Sequence, residues 1–340
     1  MPSRLSSLFA LMRRALCAAA WLAMGMVGPQ AVLAKEVGAA YPQQAIKLVV
    51  PFAPGGSTDI VARVLAEALH GILGQAVVVE NKAGAAGLIG TEAVARAQPD
   101  GYTLGVGTIS TLAVNTVMLK AARHDPLQEL APISTVAQIP SVFSTHPSLA
   151  VQDFQGFVAT MRARPDHYTI GSSGVGSIGH LIAASMNQTL GIRMRHIPYK
   201  GQGPVVNSAL AGETQVLSDQ YPSSSQLVQA GKLVPFAVAS ERRLPALPQT
   251  PTLAELGYPQ LNQLAITWMG VVAPAQTPKP VLERLAAAVR QALEQPAVQE
   301  QFAKLGVQAM PGSPAEFAQL IGQTRQQVQQ LVQSQQIPLE

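Results

Sequence analysis

The sequence predicts an α/β fold, and three observations carry that prediction. Apolar runs of strand length alternate with amphipathic stretches of helical period from residue 46 to the end of the chain. Several of these runs are continuous rather than alternating, as in strands covered on both faces within a mainly parallel sheet. The chain has 340 residues, 48% hydrophobic and 12% charged, enough for a large core and two lobes.

Taken in order, Ile46–Phe52 is the first buried strand, and Ile60, Val61, Val64, Leu65 and Leu69 line one face of the helix that follows. Ala76–Glu80 is a second strand, Leu88–Ala97 a second helix, Thr103–Gly107 a third strand, and "TISTLAVNTVML" begins another helix. Such alternation predicts parallel pairing with right-handed crossovers. The middle repeats the scheme. Ser141–Thr145 and Tyr168–Gly171 are strands flanking the helix "FQGFVATMRARP", and a helix runs from about His180 to Leu190. Strand "MRHIPY", helix "PVVNSALAG", strand "TQVLSD", helix "SSSQLVQAG" and the buried strand Leu233–Ser240 come next. "ITWMGVVAP" is one more strand, and Thr277-Pro278 opens a helix carrying Val281, Leu282, Leu285, Val289 and Leu293. Ser313-Pro314-Ala315-Glu316 is a capping box with Pro at the first helical position. The long helix it starts has Phe317, Leu320, Ile321, Val328 and Leu331 on one face and glutamines on the other; the Gln-rich face reads as solvated or as a partner surface.

The first 34 residues read as a secretory leader. Arg4, Arg13 and Arg14 form a basic region, Ala15–Val27 is an apolar run of 13 residues, and small residues end at Ala34, with Ala40 as an alternative cleavage point. The run is too short to span a bilayer, and nothing after it is long and apolar enough. The one cysteine, Cys17, lies inside this segment and lacks a lipobox, so the exported chain has no disulfide, no Cys metal site and no Cys nucleophile. Removing three arginines leaves 20 Lys+Arg (23 − 3) against 19 Asp+Glu, a net charge of +1 with no basic run, which argues against nucleic-acid binding.

The loops hold the candidate chemistry. "PFAPGGSTD" joins the carboxyl end of a strand to the amino end of a helix, the edge where open α/β sheets bind ligands. A helix start offers unpaired N–H groups and partial positive charge, Gly55 and Gly56 let an anion approach, and Ser57 or Thr58 can donate a hydroxyl. The same residues also suit an ordinary capped turn. It is not a P-loop, because no Gly-Lys-Ser/Thr follows. Gly174–Gly179 matches G-x-G-x-x-G, but the next strand ends in Lys200 where a dinucleotide site wants an acid. That loop also offers Ser172, Ser173 and Ser177, with His180 either donating to a ligand or packing the loop. "YKGQGPVV" and "SDQYPSSS" are two further polar helix entries. Asp59 reads as a first-turn carboxylate favoured by the helix dipole. Asp219 either faces the cleft, suited to a ligand amino group, or caps the next helix. Phe52, Tyr199 and Trp268 either wall the pocket or belong to the core. The six histidines lack metal-ligand spacing and there is no G-x-S-x-G elbow, so no metal, cofactor or catalytic residue is expected. Gly-rich loops in both halves suggest two walls of one cleft.

"YPQQAIKLVVPFAPGGSTDIVARVLAEAL", "GQAVVVENKAGAAGLIGTEAVARAQPDGYTL", "HIPYKGQGP" and "APAQTPKPV" resemble the Bug-type solute receptors associated with tripartite tricarboxylate transporters, over essentially the whole chain from about Tyr41. The resemblance implies a two-lobed periplasmic-binding-protein fold of type II with a hinge of two crossover strands: residues 35–140 and 238–340 in lobe 1 and 141–237 in lobe 2. It implies a non-catalytic, monomeric receptor that holds a small organic carboxylate by backbone N–H groups, hydroxyls and waters. Lobe 1 would contribute Phe52, Ala53, Gly55, Gly56, Ser57, Thr58, Asp59, Thr108 and Ser110. Lobe 2 would contribute Ser172, Ser173, Ser177, His180, Tyr199, Gly201 and Asp219. "LSDQ" and "SIGH" depart from the aromatic-Asp-Asn and serine-run patterns of relatives, which leaves dicarboxylates, amino acids and aromatic acids open as ligands. The expected partner is a membrane permease; a membrane sensor kinase and an exported nucleotide-cofactor enzyme are the alternatives.

Overall fold

A computed structural model describes residues 41–120 and 125–340. The leader, its cleavage points, its arginines and Cys17 lie outside the described residues. In chain order the structure runs β1 (Ile46–Val50), α1 (Ser57–Leu73), β2 (Val77–Asn81), α2 (Leu88–Ala95), β3 (Thr103–Thr108), a π-helical turn at Ser110–Val114, α3 (Asn115–Met118), α4 (Pro126–Glu129), β4 (Leu130–Ile139) and β5 (Ser141–Thr145). It continues α5 (Phe154–Ala163), β6 (Thr169–Ser172), α6 (Ile178–Leu190), β7 (Arg195–Pro198), α7 (Gln202–Leu210), β8 (Val216–Gln220), α8 (Tyr221–Gln229) and β9 (Val234–Ala239). The last stretch is α9 (Pro259–Ala265), β10 (Thr267–Pro274), α10 (Lys279–Glu294), α11 (Pro296–Lys304), β11 (Gln308–Ala309) and α12 (Pro314–Ser334).

Two sheets organise these elements. One has six strands in the order β11-β4-β10-β3-β1-β2, the other five in the order β7-β6-β8-β5-β9. The mainly parallel pairing expected from the alternation holds only within each βαβ core. β1 pairs parallel with β2 and β3, and β6 with β7 and β8. β10 runs antiparallel between β3 and β4, and β5 runs antiparallel between β8 and β9. The sheets are mixed because the strands that enter a sheet from the passages between lobes, β10 and β5, run against the βαβ direction, whereas β4 and β9, which leave, run with it. The first passage is one residue, Pro140, between β4 and β5; the second comprises residues 240–266 and includes α9.

Helix signals in the sequence act as expected where side chains close the ends. Ser313 and Glu316 make the reciprocal capping box that opens α12. α1 buries Val61, Ala62, Leu65, Ala66 and Leu69 against β1 and ends on Gly74 in the left-handed region. α12 lays Phe317, Ile321, Val328 and Val332 into a second apolar cluster that also takes in Leu181, Met186 and Phe157, so one continuous core reaches both sheets. Within it Trp268 stands edge-on to Phe317, ring centroids 5.7 Å apart. Phe317 is fully buried, so Phe317→Ala should cost about 3–5 kcal/mol in denaturant unfolding.

Candidate functional site

The sheets meet with the carboxyl ends of β1 and β3 turned toward the starts of α7 and α8. Between them lies a cavity of about 20 Å³. From the first lobe Phe52, Gly56, Ser57, Thr58, Thr108 and Ser110 reach it, and from the second Ser173, Gln202 and Gln220. Ile109, Ile139, Trp268 and Met269 complete its apolar side, with Thr267 between them. Among the described residues no charged side chain lines it.

The helix starts around the cavity differ in one respect that decides what they can offer. α1, α7 and α8 begin on Gly56, Gly201 and Gln220, none of which supplies a side-chain cap. α6 is closed: Ser177 Oγ accepts from the His180 amide, and Ser110 Oγ accepts from the Ile178 amide across the lobes at 3.1 Å. Amide donors are therefore left over at α1 and α7 and consumed at α6 and at α8, where the Tyr221 amide bonds the Pro140 carbonyl, Pro222 has no N–H and the Ser223 amide bonds Ser57 Oγ.

Asp59 is what holds the first loop open. Its carboxylate accepts from Arg63 Nε at 3.1 Å and Nη2 at 2.9 Å, from the Gly55 amide at 3.0 Å and from Asn81 Nδ2 at 2.9 Å. Asn81 Nδ2 also donates to the Phe52 carbonyl, so the loop is pinned to β2. Burial alone would raise the Asp59 pKa, but Arg63, the Gly55 amide and Asn81 outweigh it and hold the carboxyl below its usual range.

The lobes touch through residues expected to touch ligand. Ser57 Oγ lies 2.9 Å from the Gln220 carbonyl oxygen and 3.0 Å from Ser223 Oγ, and accepts from the Ser223 amide at 3.1 Å. Ser223 Oγ lies 2.6 Å from both Asp219 carboxyl oxygens. A Cβ on Gly56 would stand 3.4 Å from Gln202 Cβ. Gly201 (φ +138°) brings its backbone against Ala53, where a Cβ would come within 2.8 Å of the amide nitrogen.

Of the sixteen residues expected at the site, Phe52, Gly56, Ser57, Thr58, Thr108, Ser110 and Ser173 lie on the cavity wall. The others stand behind it, each for a visible reason. Ala53 and Gly201 face each other across the lobes, and Gly55 serves Asp59. Ser172 Oγ bonds His196 Nε2 at 2.5 Å, and Ser177 caps α6. His180 accepts from the Gly176 amide and stacks on His196 with centroids 4.1 Å apart. Tyr199 Oη bonds Ser208 and Thr214. Asp219 is buried beneath α8 rather than aimed into the cavity. The apolar wall was not singled out from sequence, Trp268 excepted, because such residues inside strands read as core.

Among the described residues no group of His, Cys, Asp and Glu could hold a metal ion, and no helix is long and apolar enough to cross a membrane. Two α/β lobes closing on an uncharged, hydroxyl- and amide-lined cavity define a solute receptor of the periplasmic-binding-protein class. The family model "Tripartite tricarboxylate transporter family receptor" matches residues 61–337, and the chain belongs to that family. BugT of Bordetella pertussis is 38% identical over 275 residues, 81% of this chain and 84% of that protein. The structure of the periplasmic binding protein BugD superposes with TM-score 0.84 at 33% identity, covering 88% of this chain and 99% of BugD. MatC from Rhodopseudomonas palustris, solved with bound malate, superposes with TM-score 0.80 at 28% identity, covering 86% and 100%.

Two outcomes follow from this geometry. Gly56→Val should weaken ligand binding by at least about tenfold, because its branched side chain meets Gln202 and props the lobes apart, while unfolding free energy stays within about 1 kcal/mol; calorimetric titration beside urea unfolding checks both. For Asp219, burial pushes the carboxyl from the ordinary 3.8 up to about 7 against the pull of the Ser223 hydroxyl. The folded chain then binds more protons than the unfolded one between those values, so this group's contribution to stability falls as pH rises from about 4 to about 7. Asp219→Asn should remove that slope in urea unfolding measured across the window.

Proposed function

We propose that this chain captures a small organic carboxylate between its lobes and presents it to a membrane permease, acting in the periplasm after loss of its leader. The observation that carries the reading is the convergence of two helix starts with unmet amides, those of α1 and α7, on a cavity lined by no charged side chain among the described residues. Leftover amides and the positive ends of helix dipoles stabilise a negative group there, and the hydroxyls of Ser57, Thr58, Thr108, Ser110 and Ser173 can orient it. Asp59, the nearest acid of the first loop, is neutralised by Arg63 and does not repel an anion. The malate carried by MatC supports the same ligand chemistry for this family member. Ser57 joins the lobes directly, so a ligand touching both sides favours the closed arrangement and ordered waters can fill what it leaves.

The test is thermal and urea unfolding of protein first unfolded and refolded to strip co-purified solute, then offered dicarboxylates, amino acids and aromatic acids. The expected result is saturable stabilisation by at least one carboxylate, about 2.7 kcal/mol when it stands a hundredfold above its dissociation constant. Absence of any shift across the panel would defeat the reading.

A further inference from the structure

We propose that the captured acid carries an apolar tail, and that this tail leaves the central cavity past Ile109 and Trp268 to lie in the groove between α12 and the α9–β10 segment. The inference rests on the reading of the central cavity as the seat of the carboxylate. Three observations on different parts of the molecule lead to it.

The first is size. A buried water needs roughly 10–15 Å³ of open space, so a cavity of about 20 Å³ admits little beyond one small polar group. The groove holds about 700 Å³, ample for a ring or a chain of several carbons. The second is continuity. Ile109 and Trp268 line both spaces, so a wall one side chain thick separates them. Trp268 presents its ring edge to Phe317, and its indole N–H donates to Thr324 Oγ1 in α12 at 3.3 Å, so the side chain is tied to the groove side. The third is chemistry. Half-buried Leu264, Ile266, Leu320 and Leu331 give the groove an apolar floor, and glutamines such as Gln138, Gln263 and Gln327 give it a polar rim, with Glu241 the one charged residue among the described residues that line it. A surface of that kind takes a neutral hydrocarbon or aromatic tail and repels a second carboxylate. It also gives the Gln-rich face of α12 a use.

The experiment uses the whole chain with Trp21→Phe, so that Trp268 is its sole tryptophan, titrated with succinate and with 6-phenylhexanoate by calorimetry and by tryptophan emission. Phenylhexanoate should bind at least about tenfold tighter than succinate, compete with it, and shift Trp268 emission further than succinate does. Leu331→Glu, and independently Leu264→Gln, should abolish that preference while leaving the succinate constant unchanged. Equal binding of the two acids, or equal weakening of both by the groove variants, overturns the tail assignment and leaves the central site standing. Phenylhexanoate that binds without competing with succinate also overturns it, since the groove is then a separate site. Binding of neither acid also overturns the tail assignment, and the wider panel of carboxylates then decides the central reading.

Discussion

An amide at a helix start has no acceptor inside its own helix, and the arrangement of this molecule turns on where such amides find one. At α6 the question is settled internally, by Ser177 from the same chain segment and by Ser110 from the facing lobe. At α8 the Pro140 carbonyl and Ser57 Oγ take the amides, whereas at α1 and α7 it is left open by Gly56 and Gly201. Leaving donors unmet is costly in a dry interior but useful at a junction that opens to solvent and closes on solute. The supporting structure follows from that choice. Asp59, Arg63 and Asn81 fix the first loop so that its amides face inward, and no cation is needed in the cavity itself.

The first loop and its helix were legible in the sequence because each feature there is local: an apolar strand, two glycines, hydroxyl residues and a helical period within one short stretch. The same holds for the Ser313–Glu316 box, whose partners lie three residues apart. What escaped depends on residues far apart in the chain. β4 runs ten residues along β10 with Ala, Pro, Ser and Thr among its members, and its register with Thr267–Pro274 cannot be read from its own composition. α9, opened by Pro259, and the short α11 were missed for want of a strong apolar period.

Polar residues proved ambiguous for a related reason. Ser172, Ser177, His180, Tyr199 and Asp219 all sit near helix entries, where sequence alone allows a ligand or an internal partner. Here His196, the α6 amides, Gly176, Ser208 and Ser223 occupy them. The stacked pair His180 and His196 shows the cost of such interior placement. Burial lowers both pKa values, that of His196 to about 4 with the neighbouring ring adding to the effect, so the stack persists as two neutral rings near neutrality.

The passage between β4 and β5 is a single proline. Its ring fixes φ near −65°, so the backbone there can turn only about ψ and at its immediate neighbours. Longer linkers let two bodies splay, slide and twist independently; this joint removes most of those freedoms on one side of the molecule. The other side, with α9 packed into its course, restrains the remainder. A rotation of one lobe on the other would have few backbone torsions to turn on at this joint.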